Sequence, residues 1–140
     1  MRKFKSKYTQ LSGTDYKEVT RNARKEYVKV QHLTKRQPYI RSKYFANDKI
    51  FINIFWNHLA QKRKGEQIAR AKLLLPAFDL LRNSLSEPDT ISSTKDKGNI
   101  LHRFLGETKE GKLFYVQVKQ NKRTGRKDFM SAFPAKKFNK

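Results

Sequence analysis

The chain contains no cysteine, which rules out disulfides, thiolate metal sites and cysteine nucleophiles. Histidine is scarce: His32, His58 and His102 are the three in the sequence. They lack metal-ligand spacing, and neither an HExxH motif nor a paired-histidine site occurs. No apolar run is long enough to span a bilayer. The basic start MRKFKSKYTQ is not followed by the apolar stretch of a secretory signal. The expectation from these absences is a soluble cytoplasmic protein with no metal, no cofactor and no membrane contact.

Acidic residues are also few. The 140 residues carry 12 Asp and Glu against 33 Lys and Arg, a formal net charge of +21. Such a field opposes its own compaction unless a polyanion or an acidic partner is near. Nucleic acid is the first partner class to consider, an acidic protein the second and an anionic membrane surface a distant third. The excess sits on the flanks: Met1 to Lys43 holds 13 basic and 3 acidic residues, and Lys95 to Lys140 holds 13 and 4. The middle, Tyr44 to Thr94, holds 7 and 5. It reads as a packing segment between two basic surfaces.

The pattern of apolar residues predicts one compact domain. Residues 1–14 read as a loose basic arm, 15–86 as a helical region, 87–99 as a linker and 100–140 as a sheet. In the helical region, Tyr16, Val19, Ala23, Tyr27 and Val30 form a helical stripe within Asp15 to Leu33, with Ser12 or Thr14 as the cap. A second helix is expected over KIFINIFWNHLAQK, capped by Asn47 or Asp48. A third covers EQIARAKLLLPAFDLLRNS, where Pro76 should kink it or split it in two. After SEPDTISSTKDKG the apolar period drops to about 2. Three strands are expected, Ile100 to Leu105, Leu113 to Lys119 and about Lys127 to Phe133, joined by turns that each contain a glycine suited to positive φ. The predicted class is therefore α+β, with N-terminal helices packed on a C-terminal antiparallel meander of at least three strands.

Alternation along these strands predicts one face that gathers His102, Tyr115, Gln117, Lys119 and Ser131, with Arg103 or Arg126 reaching in from an edge. The opposite face would carry Leu101, Leu105, Phe114, Val116, Val118 and Met130 and take the helices. An imidazole, a lysine, an arginine and hydroxyls on one basic face suit RNA cleavage without metal. That reaction needs a base for the 2′-OH proton, an acid for the departing 5′ oxygen and fixed positive charge for the transition state. A purely polar, solvated sheet face would use the same residue types. Residue types alone leave both open.

The segment LHRFLGETKEGKLFYVQVKQNKRTGRKDFMSAFP, Leu101 to Pro134, resembles the C-terminal sheet of the barnase/EndoU/colicin/RelE-like (BECR-fold) ribonucleases. It is most similar to their phage- and toxin-associated branch. The resembling features are an H-R pair opening the sheet, a G-K-x-F-Y-V second strand and a last strand ending S-A-F-P, about a quarter of the chain. The resemblance implies metal-independent cleavage of RNA by a toxin that a small acidic antitoxin or inhibitor protein neutralises. It further implies proton transfer by His102, phosphate binding by Arg103 and Lys119, and a last-strand hydroxyl from Ser131. Tyr115, Lys122, Arg123, Arg126 and Lys127 would contact the nucleic acid. One histidine lies in the segment, so a second proton-transfer group is missing unless His32 or His58 folds back. Two other readings stand beside this one: a non-enzymatic RNA- or DNA-binding module, and a phage-encoded factor whose charge meets an acidic host protein.

Overall fold

A computed structural model describes residues 2–92 and 97–135. Among the described residues, seven strands and four helices are interleaved in the order β1 (Lys3–Lys5), α1 (Tyr16–His32), β2 (Tyr39–Ser42), β3 (Asp48–Phe51), α2 (Phe55–Ala60), α3 (Lys64–Ala71), α4 (Leu74–Asn83), β4 (Asp89–Ser92), β5 (Asn99–Glu107), β6 (Leu113–Asn121) and β7 (Lys127–Pro134). The strands form one mixed sheet in the order β1-β5-β6-β7-β3-β2, with β4 also paired to β5. The expected meander is its centre. The expected segregation of helices before strands does not hold, because β1, β2, β3 and β4 are threaded among the helices.

Each helix boundary has a local cause. Asp15 caps α1 by accepting from the Glu18 amide, in place of Ser12 or Thr14. Its stripe of Val19, Ala23, Tyr27 and Val30 is buried. The expected helix over Lys49 to Lys62 is reduced to α2, because Asp48–Phe51 is recruited as a strand beside β2 and β7. There Ile50 gains a sheet partner on either side, and pairing outweighs the helical pattern. The expected third helix is split into α3 and α4, and Pro76 lies in the first turn of α4. Its missing N–H removes no helical bond at that position.

The basic N-terminal segment is docked. β1 pairs in parallel with Leu105 to Glu107. The Ser6 hydroxyl donates to the buried Asp79 carboxylate at 2.7 Å, and the Lys7 amide donates to the same oxygen at 3.2 Å. The expected linker likewise contains β4, antiparallel to β5, while residues 93–96 lie outside the described residues.

The core lies between the helices and one face of the sheet. It holds Phe55, Phe78, Phe114 and Phe129 with Ile50, Ile52, Leu73, Leu74, Leu80, Val19 and Val116. Phe55 stacks on Phe129 with ring centroids 5.1 Å apart. Gly106 is needed for close approach: a Cβ there would lie 2.5 Å from Phe114 Cζ and 2.9 Å from Leu80 Cδ1. The two central turns use Gly111 at φ 92° and Gly125 at φ 77°, the positive values expected of them. No helix among the described residues is long and apolar enough to cross a membrane.

Candidate nucleic-acid interface on the outer sheet face

Strand register decides which side chains meet. β5 pairs β6 with His102 opposite Val118, Phe104 opposite Val116 and Arg103 opposite Gln117. Directly opposed residues share a face, so His102 points to the buried side with Phe104, Val116 and Val118. The predicted grouping of His102 with Tyr115, Lys119 and Ser131 is corrected by this pairing. A shift of one residue in register moves every side chain of a strand to the other face, and the turn Thr108 to Lys112 sets the register. The Thr108 amide donates to Lys112 O at 2.8 Å and Gly111 donates to Thr108 O at 2.9 Å.

On the inner face, His102 belongs to a polar cluster at one end of the core. Its Nδ1 is 2.9 Å from Thr90 Oγ1 and its Nε2 is 2.8 Å from Gln120 Oε1. The Gln120 carbonyl oxygen can only accept, so Nε2 is the donor in that bond, and the Thr90 hydroxyl meets Nδ1. The Phe45 ring packs edge-on at 5.0 Å. Lys127, expected to contact nucleic acid, is also turned inward: its Nζ donates to Asp48 at 2.7 Å and to Gly125 O at 3.1 Å. The lysine holds the Asp48 carboxyl below the usual carboxylate range, chiefly through that hydrogen bond.

The outer face collects the remaining predicted residues and adds one from a helix. Arg103, Gln117 and Ser131 form one cross-strand row, and Leu105, Tyr115 and Phe133 form the next. A bulge between Gln117 and Val118 re-phases β7, so that Phe129 points inward while Ser131 and Phe133 point outward. α3 lies along β7 beyond the end of β3, and from it Arg70 donates to Ser131 Oγ at 2.7 Å. The Arg70 guanidinium stands 5.0 Å from the Phe133 centroid. That of Arg103 stands 5.6 Å from the same ring and 5.4 Å from Tyr115. Two guanidiniums therefore share one aromatic ring. Neither forms a salt bridge among the described residues. Burial draws Arg70 below its ordinary value, with Glu66 opposing. A groove of about 390 Å³ opens beside Arg70, bounded by Glu66, Phe133 and Pro134.

Lys119 occupies the row that joins Leu101, Asp128 and Phe51. His58 of α2 is close enough to feel it. Burial lowers the His58 pKa first, and the charges of Lys119 and then Lys62 lower it further. The histidine is thereby kept neutral at physiological pH. His32 is exposed in the last turn of α1. Lys122 and Arg123 are exposed in the β6–β7 turn. Arg126 lies over Phe51 at 4.1 Å and pairs with Asp128 at 3.2 Å. Arg70 was not foreseen, since a helical arginine between alanines carries no local sign that it reaches a strand hydroxyl. Comparison of the chain with protein families, with curated proteins and with solved structures gives no match.

Proposed function

We propose that this protein is a metal-independent endoribonuclease of the kind the H-R to S-A-F-P segment resembles, and that RNA lies across the outer sheet face. The observation that carries the reading is the pair Arg70 and Arg103 over Phe133, two guanidiniums that form no salt bridge among the described residues, one of them partly desolvated and bonded to the neutral Ser131. Burial outweighs the nearby Glu66 charge at Arg70, and a phosphate in bidentate contact restores what desolvation removes. Lys119, one row away, adds a third positive charge.

In the proposed reaction the 2′ oxygen bonds to phosphorus and the P–O5′ bond breaks. The products are a 2′,3′-cyclic phosphate and a free 5′-OH. Arg70 and Arg103 hold the non-bridging oxygens, where charge grows in the transition state. His58, neutral beside Lys119, is the proton acceptor for the 2′-OH. The Tyr115 phenol under Arg103 supplies the proton to O5′. His102 is a structural residue in this scheme, which departs from the role the resemblance gives it. The net charge of +21 suits a partner protein that is acidic and covers this face, as an antitoxin would.

The test is cleavage of a single-stranded RNA in EDTA, beside the same oligonucleotide with 2′-deoxy sugars. Wild type should cut the first, leaving cyclic phosphate ends, and spare the second. Arg70→Ala and Arg103→Ala should each lower the rate at least tenfold. A folded protein that cuts no RNA, or variants that cut at the wild-type rate, overturns the proposal. A second reading, binding without cleavage, is favoured by one observation: the histidine of the segment is buried and bonded at both ring nitrogens. It predicts tight, salt-sensitive binding with intact RNA recovered.

A further inference from the structure

The outer face extends beyond the Arg70 and Arg103 rows. On β2 and β3, Tyr39 is paired with Phe51, and their rings meet edge-to-face at 6.0 Å. Three cations cover these two rings. Arg126 lies 4.1 Å from the Phe51 centroid, and Lys49 and Arg41 lie 4.7 and 5.5 Å from that of Tyr39. Beside them a groove of about 670 Å³ runs past Lys35, Arg36 and Gln37. Gln37 Oε1 accepts from Arg126 at 2.8 Å and so holds that guanidinium over Phe51. The carboxylate on this stretch of the face, Asp128, is covered by the same arginine through two bonds from its Nε at 3.2 and 3.3 Å.

We infer that this groove is a second RNA subsite, which takes an unpaired base against Tyr39 and Phe51 and its flanking phosphates against Lys49, Arg41 and Arg126. The inference rests on the proposal that RNA lies on the outer face, and it adds the substrate class: single-stranded RNA several nucleotides long. Charge complementarity selects the occupant. The lining offers three cations, Lys35, Arg36 and Lys49, around two half-exposed aromatic rings, and Arg41 and Arg126 add two more against those rings. Aromatic rings stack on a base of any sequence, while lysine and arginine track the backbone. A duplex hides its bases and cannot use the rings. The groove also continues the candidate site: Phe51 pairs with Asp128, three residues before Ser131 on β7. At the rise of a strand that separation is about 10 Å, within reach of one short oligonucleotide.

The experiment measures binding by anisotropy of a labelled 12-nucleotide 2′-O-methyl oligouridylate, whose blocked 2′ oxygen cannot attack phosphorus, with wild type, Tyr39→Leu and Lys49→Ala. Tyr39→Leu keeps an apolar side chain in the strand, and a urea melt of each variant checks its folding. Tyr39→Leu should weaken binding about tenfold, in keeping with loss of one stacked base. Lys49→Ala should weaken it less and reduce the slope of log affinity against log salt by about 1. A duplex of the same length, and poly-glutamate as an acidic protein mimic, should be unaffected by Tyr39→Leu. If both variants bind the oligouridylate as wild type does, or if Tyr39→Leu weakens duplex or poly-glutamate equally, the subsite is refuted. Binding is read without cleavage, so failure of the nuclease proposal and failure of the subsite remain distinguishable.

Discussion

Replacing His102 by alanine separates a structural histidine from one that transfers protons. The ring makes one hydrogen bond from each nitrogen, to Thr90 at 2.9 Å and to Gln120 at 2.8 Å. Each such bond contributes about 1 kcal/mol net. Thr90 is exposed and Gln120 half-buried, so both partners regain water in the variant. The loss therefore stays near that net value rather than the full desolvation penalty. The missing ring also empties space against Phe45, whose centroid is 5.0 Å away, and a cavity of that size adds about 1–2 kcal/mol. The expected cost is about 3–4 kcal/mol, or a Tm lower by roughly 10 °C in a domain of this size. Trp56, the one tryptophan of the sequence, packs on Phe55 and Tyr27 and reports urea unfolding by fluorescence. At a temperature where the variant is still folded, RNA cleavage should persist within a few-fold of wild type. A variant as stable as wild type that has lost all cleavage would refute the inward placement and return His102 to the chemistry.

Three further outcomes test the geometry. His58 should titrate below the ordinary histidine value of about 6.5 by NMR, and Lys119→Met should move it part of the way back, because burial remains the larger cause. The depressed pKa makes the folded state bind fewer protons than the unfolded one, so this group's contribution to stability rises with pH through that window and is lost as pH falls below it; an unchanged His58 midpoint in Lys119→Met would show that the two groups are not neighbours. Gly106→Ala should destabilise by about 1–3 kcal/mol through overpacking, since the new methyl meets Phe114 and Leu80, and a neutral result in a urea melt would contradict the close approach. Ala46, at φ 55° in the β2–β3 turn, holds a conformation that costs a non-glycine residue about 1 kcal/mol, so Ala46→Gly should raise the urea midpoint rather than lower it.

The sequence made some elements legible and hid others for physical reasons. α1, the break around Pro76 and the three long strands all announce themselves through period, caps and glycine turns, because their signals are local. β2 and β3 do not. The run IFINIFW is apolar at nearly every position, and such a run is compatible with a buried strand or a buried helix. What decides it is pairing with β7, some 75 residues away in the chain. β1 and β4 are polar or basic, and both form only because β5 offers an edge to each along a different part of its length. Their stability lies in partners that no window of the sequence contains.

The candidate site was half legible for a related reason. The alternation along β5 and β6 was read correctly, but the bulge turns Phe129 of β7 inward against it, and Arg103 lies on the same side as Tyr115, Lys119 and Ser131 through its own strand face instead of reaching in from an edge. The phase between neighbouring strands is set by the turn at Thr108 to Lys112 and by the bulge near Val118, and it sends His102 inward. That exchange changes the chemistry the face can support. A face with a central imidazole would carry its own base. The actual one is built from guanidiniums, with Arg70 supplied by a helix, and in the proposed reaction the imidazole comes from His58 at the margin. Arginine stays charged throughout the physiological range, so phosphate binding on this face should be flat with pH, whereas cleavage should fall as His58 becomes protonated. A cleavage rate that declines toward acid while RNA affinity holds would assign the two tasks to different residues. A parallel loss of both would place them on one titrating group, which the arrangement of Arg70, Arg103 and Phe133 does not contain.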